Sequence, residues 1–193
     1  MSLKFLLKRG ALLAVANWQA VAIQFFAETT FQVLLAVPIF GAALLVAVAD
    51  QVSKLWILDL FAGGPAPIEV APFFNLVLTW NRGMSFGLFN SDNALNALIF
   101  TAVAAAIVTG LVLWLRRVEQ TLLALAIGLV IGGAIGNVID RLLPSRHHAV
   151  VDFLDFHLAG WHFYVFNLAD AAISVGVGLM LIDSLLVQRR AAN

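Results

Sequence analysis

Asp170 lies near the start of an apolar, helix-length stretch, WHFYVFNLADAAISVGVGLMLID at 161–183, and Asn167 stands one turn before it. An ionisable group in lipid is expensive, so an intramembrane carboxylate is a functional candidate by default. The competing reading is a hydrogen bond that packs two helices. Other costly groups recur near the ends of apolar runs: Asp50 with Lys54, and Asn137 with Asp140 and Arg141. Asp152 and Asp155 alternate with apolar residues in VVDFLDF, a setting that suits a strand or amphipathic turn at the membrane surface and raises a carboxyl pKa. Two carboxylates at a semi-dry site do not both ionise easily. One keeps a proton while the other acts as base, which activates water against an amide and protonates the leaving amine. Residue-level reasoning pairs Asp170 with Asp140, since both lie in apolar runs, although a packing ion pair is the favoured reading of Asp140 and Arg141. Ser145 and Ser174 have no base in fixed relation to them. His147, His148, His157 and His162 lack a metal-ligand spacing and read as solvated, and there is no Cys. No metal and no cofactor are expected.

The elements that position these groups are helices in a membrane. Of 193 residues 62% are hydrophobic and 11% charged, mean hydropathy is +0.98, and net charge is zero, which excludes a soluble domain and gives no footprint for nucleic acid. The expected fold is an all-α membrane protein of four spans, about 33–58, 94–115, 121–143 and 166–187, forming one domain over 33–190. Pro38 is a candidate kink. Residues 1–32 form an extension that reads as an interfacial helix. A signal peptide cleaved near Ala14-Val15-Ala16 is the lesser alternative, as is an extra span interrupted by Asn17, Gln19, Gln24 and Glu28. Segment 61–92 carries Pro65, Pro67 and Pro72, so the helix cannot continue; PIEV and FFNLVLTW read as short strands of a small surface sheet. Gly128, Gly132 and Gly136 make a small-xxx-small face for close approach of another helix.

Lys4, Lys8, Arg9, Arg116, Arg117, Arg189 and Arg190 fall on one side of a four-span chain, and Lys54, Arg82, Arg141 and Arg146 on the other. The positive-inside rule gives N-in and C-in, with the sheet on the outer side. Asp50, Asn137, Asp140, Asp152, Asn167 and Asp170 then converge near the outer surface, while Asp183 reads as a helix-end charge.

Five stretches in order, DQVSK at 50–54, NRGMSFGLF at 81–89, GGAIGNVIDR at 132–141, VVDF at 150–153 and FNLAD at 166–170, resemble the lipoprotein signal peptidase (signal peptidase II) family. The resemblance covers nearly everything after residue 32. It implies an aspartic endopeptidase of the bacterial inner membrane, multi-pass, with its active site at the periplasmic face. Such enzymes cleave prolipoproteins just before a diacylglyceryl-modified Cys. It assigns the catalytic pair to Asp152 and Asp170, and gives supporting or substrate-binding positions to Asn81, Gly83, Asn137, Asp140, Arg141 and Asn167. Asp50 and Lys54 take a structural position. Met84-Ser85 departs from the family pattern. Partners are lipid-modified precursors and membrane lipids, no oligomer is called for, and the rival class is a non-enzymatic transporter subunit or scaffold.

Overall fold

The computed structural model describes residues 17–64, 66–83, 94–115 and 118–192. Lys4, Lys8, Arg9, the Ala14–Ala16 site, Met84-Ser85, Arg116, Arg117 and the side chains of Arg189 and Arg190 lie outside the described residues. The chain divides into two units, Met1–Val37 and Pro38–Asn193.

Helix α1 spans Trp18–Leu60. It starts well before the expected first span at 33, and the residues expected to lie in the interface form its opening turns. No Gly or Pro stands between Trp18 and Val37 to stop it, and its polar residues support it: Gln24 Nε2 donates to Glu28 Oε1 at 2.8 Å, an i,i+4 pair.

In the second unit, α1 is followed by β1 (Ile68–Ala71) and β2 (Phe74–Asn81), then α2 (Ala94–Leu115) and α3 (Thr121–Leu142). A 3-10 turn at Pro144–Arg146 leads to β3 (Val150–Leu158), β4 (Trp161–His162) and α4 (Leu168–Ala192). Among the described residues, four helices are long and apolar enough to cross a membrane, with segments Trp18–Leu60, Leu95–Leu115, Thr121–Leu142 and Leu168–Leu186.

Helix α3 is the hub, with 61% of its apolar window buried against 0% for α2 and 17% for α4. Its glycines explain why. A Cβ at Gly128 would lie 2.8 Å from the Ile39 carbonyl oxygen, one at Gly132 2.5 Å from that of Ala43, and one at Gly136 2.5 Å from Asp50 Oδ2. The small-residue face therefore receives α1. Gly133 meets the backbone of Ala169, and Gly176 meets that of Ala126 at 2.7 Å, so α4 closes on α3 in the same way.

The sheet is antiparallel in the order β1-β2-β3-β4. The strands expected at PIEV and FFNLVLTW form within a residue or two of those bounds, and VVDFLDFH supplies a third. β4 was not anticipated. A bulge between Leu76 and Thr79 shifts the register so that Thr79 faces Asp152 and Asn81 faces Val150. Alternation along β3 sends Val151 and Phe153 into a core with Ile57 and Phe61, and turns Asp152 to the other face. The chain before α4 joins the sheet through Phe166, whose carbonyl accepts from Phe153 N at 3.1 Å and Leu154 N at 2.8 Å.

Gly132→Ala is expected to destabilise the fold by about 1–3 kcal/mol, because the new methyl meets backbone on α1 that cannot yield cheaply. Thermal unfolding in detergent, with Gly110→Ala on open helix surface as the neutral control, measures it.

Candidate active site

The site is built on a fully buried ammonium. Lys54 Nζ donates to Asp50 Oδ2 at 2.8 Å, Asp140 Oδ2 at 2.8 Å and Asn137 Oδ1 at 3.2 Å, so its three hydrogens meet three acceptors. Lys54, Asp50 and Asp140 are each 0% exposed. The carboxylates then reach other elements. Asp50 Oδ1 accepts from Ala169 N at 3.1 Å, and Asp140 Oδ2 from Val151 N at 3.2 Å. Gln51 Nε2 bridges Asp50, the Gly136 carbonyl and Asp140, and Arg146 Nη1 lies 3.6 Å from Asp140 Oδ1. One cation thus fastens α1 to α3, the start of α4 and β3.

The first turn of α4 is closed by a reciprocal cap. Asp170 N donates to Asn167 Oδ1 at 3.0 Å, and Asn167 N to Asp170 Oδ2 at 3.3 Å. This is a capping box with Asn and Asp in the two roles, and it leaves Asp170 at the positive end of the helix dipole. Asp170 Oδ1 accepts from Asn137 Nδ2 at 2.8 Å. The other acid arrives from the sheet. Asp152 Oδ1 accepts from Asn167 Nδ2 at 2.6 Å and its Oδ2 from Asn81 Nδ2 at 2.9 Å. Asn167 therefore touches both Asp152 and Asp170.

The three asparagines cannot turn over. Lys54 can only donate, so Asn137 presents its oxygen there and its NH2 to Asp170. Backbone N–H groups of Asp170 and Gly83 (2.8 Å to Asn81 Oδ1) fix Asn167 and Asn81 likewise, with NH2 toward Asp152. Gly83 has φ +89°, and a Cβ there would strike the Phe100 ring. The Arg141 guanidinium lies over that same ring at 5.3 Å and donates to the Asn137 carbonyl at 3.2 Å.

Asp152 is 1% exposed. Burial pushes its carboxyl up to about 6, with the nearby Asp170 charge adding to the rise and the hydrogen bonds from Asn81 and Asn167 opposing it. Asp170 is half-buried. A cavity of about 280 Å3 opens on Asp152 beside Thr79, Asn81, Arg82 and Tyr164, and an apolar cleft of about 590 Å3 opens on Asp170 beside Tyr164, Phe166, Ile173 and Val175. Two acids of unequal burial, joined by one amide and open to adjoining spaces, can divide a proton between general-acid and general-base work.

All ten residues singled out in the sequence gather here, including Gly83 and the structural pair Asp50 and Lys54. Asp152 belongs to strand β3, one of the two settings its pattern allows, and Arg146 is buried beside Asp140. Asp183, expected at a helix end, is buried within α4. Sequence reasoning placed Gln51 beside Asp50 and Lys54 without a role, and missed Tyr164. Polar Gln51 inside an apolar helix was a readable signal; Tyr164 carried none. Among the histidines, His148 Nδ1 lies 3.0 Å from the Arg141 carbonyl, and His162 Nδ1 lies 2.8 Å from Asp155 Oδ1. Burial raises the Asp155 carboxyl, but hydrogen bonds from His162 and Asn75 outweigh it and leave it below its ordinary range. Among the described residues no group of three His, Asp or Glu is placed to hold a metal ion.

The sequence profile described as Signal peptidase (SPase) II matches residues 42–186. The chain belongs to the signal peptidase II family. It is thereby a peptidase by descent. A lipoprotein signal peptidase of Nitrobacter hamburgensis is 48% identical over 150 residues, 75% of this chain and 90% of the relative. That of Methylorubrum extorquens is 46% identical over 147 residues, 75% of this chain and 83% of the relative. Two solved structures of bacterial membrane enzymes superpose on this signal peptidase II family member. One has a TM-score of 0.63 at 32% identity, covering 76% of this chain and 87% of its own. The other has a TM-score of 0.65 at 31% identity, covering 76% and 92%.

Two measurements check the site's energetics. Lys54→Met leaves two buried carboxylates without their cation and is expected to cost about 3–5 kcal/mol in thermal unfolding. For Asp152, the folded protein keeps its proton to about pH 6, whereas an unfolded carboxyl releases it near pH about 4. The folded state binds more protons in between, so stability falls by about 3 kcal/mol as pH rises through that window. Asp152→Asn is expected to flatten that slope.

Proposed function

We propose that this protein is an aspartic endopeptidase of the bacterial inner membrane. It removes the signal peptide from diacylglyceryl-modified prolipoproteins by cutting just before the lipidated Cys. The observation that carries the reading is the junction at Asn167: one side chain hydrogen-bonded to Asp152 at 2.6 Å and capped reciprocally with Asp170. Asp152 and Asp170 are the catalytic pair. The ionised member takes a proton from water as its oxygen bonds to the scissile carbonyl carbon. The protonated member supports the developing oxyanion; when the C–N bond breaks, the amine leaves with a proton from the pair, and one proton remains shared. Titration belongs to the pair and not to one residue.

Asp140, the rival partner, has its acceptors taken up by Lys54, Val151 N, Gln51 and Arg146, and it is fully buried, away from both cavities. This favours a supporting role for Asp140, with Asn137, Arg141, Asn167, Asn81 and Gly83 holding the acids and the substrate strand. The apolar cleft beside Asp170 suits a substrate that arrives laterally from the bilayer with its acyl chains. The distribution of Lys and Arg supports N-in and C-in with the sheet and acids on the periplasmic side. Family membership and acids gathered at one end of the helices argue against a transporter subunit or scaffold.

Asp152→Asn and Asp170→Asn are each expected to lower cleavage of a lipid-modified precursor in detergent by at least about 1,000-fold, the scale of lost acid–base catalysis. Wild-type activity is expected to survive EDTA. Normal cleavage by either variant sinks the pair, and loss in Asp140→Asn with Asp152→Asn active restores the rival.

A further inference from the structure

Among the described residues, Tyr164 is the one that lines both the cavity on Asp152 and the cleft on Asp170. It lies on the three-residue link between β4 and Phe166, outside any strand, and this link is anchored at both ends. Phe163 N donates to the Phe156 carbonyl at 2.7 Å, and Phe166 N to the Leu154 carbonyl at 3.2 Å. The His162–Asp155 contact secures the same segment one residue earlier. The Tyr164 hydroxyl accepts from Asn81 Nδ2 at 2.7 Å. Asn81 has two amide hydrogens and one carbonyl oxygen. One hydrogen goes to Asp152, the other to Tyr164, and the oxygen to Gly83 N. Its amide is therefore held at three points, and Tyr164 is the one of the three that stands on the link before α4. Tyr164 is 56% exposed, so its packing contributes little to the core.

We propose that Tyr164 is a positioning residue of the peptidase reaction: its hydroxyl pins the Asn81 amide against Asp152, and its ring forms the wall between the spaces that receive the two sides of the scissile bond. This rests on the peptidase reading above. An aromatic that merely anchors the chain at the membrane surface would turn its hydroxyl to water or headgroups and leave the Asn81 amide alone. Tyr164→Phe separates the two roles, because it keeps the ring and removes the acceptor.

The test is steady-state cleavage of a synthetic precursor peptide carrying diacylglyceryl-cysteine, by the full-length enzyme in detergent across a pH series. Tyr164→Phe is expected to lower kcat about threefold to tenfold, the scale of one lost hydrogen bond, with KM nearly unchanged. The acidic limb of kcat/KM is expected to move to higher pH. The Asn81 hydrogen bond holds the Asp152 carboxyl down, so loosening it lets that carboxyl climb. Tyr164→Ala removes the wall as well and is expected to raise KM. In an Asn81→Ala background, Tyr164→Phe is expected to add nothing. Wild-type kcat and an unshifted limb in Tyr164→Phe, or the same loss in both backgrounds, overturns the inference while leaving the peptidase reading intact. Absence of cleavage by the wild type, or normal cleavage by Asp152→Asn, brings down that reading and this inference with it.

Discussion

A lysine ammonium with no exposed surface is the constraint on which the arrangement depends. Removing such a charge from water costs several kcal/mol, and the cost is met only where every hydrogen finds a well-placed acceptor. Lys54 finds Asp50 one turn earlier on its own helix, and Asp140 and Asn137 on α3. Each carboxylate then needs donors of its own, and these come from the backbone of Ala169 and Val151. The two segments so recruited are the ones that carry Asp170 and Asp152, each one residue further along. The geometry of the acids is inherited from the need to satisfy a buried cation.

Close helix packing makes that inheritance possible. The cluster reaches from α1 to α4 across α3, which works only because the glycine face lets helix backbones come nearer than ordinary side chains permit. Gly136 shows the coupling most directly, since the space its missing side chain leaves is taken by the Asp50 carboxylate. The asparagines then transmit direction. Their amides are oriented by groups that can only donate, so N–H bonds are aimed at both acids by the fold itself.

Much of this was legible in the chain. Costly polar residues near the ends of apolar runs marked the cluster, the four-residue spacing of glycines marked the packing face, and prolines with β-branched residues marked the sheet. What local pattern could not give was partnership. Residue types alone paired Asp170 with Asp140, because both sit in helices; the structure occupies Asp140 with Lys54 and brings Asp152 to Asn167 through the bridge of β3 to Phe166. The early start of α1 was missed because scattered Gln and Glu read as an interruption, although they are adequate helix formers. Tyr164 was invisible for a similar reason: an aromatic near a membrane surface is commonplace, and only the tertiary fold shows what its hydroxyl meets.

The hydrogen bond from Ala169 N to Asp50 joins residues that are 119 apart in sequence. Asp50 is made early during synthesis and Ala169 late. Until α4 emerges and docks, Asp50 lacks that donor, Asn137 lacks a carboxylate for its NH2, and Asp152 lacks Asn167. The segment that begins α4 is therefore the last part of the polar network in chain order, and it completes contacts for groups on α1, α3 and β3.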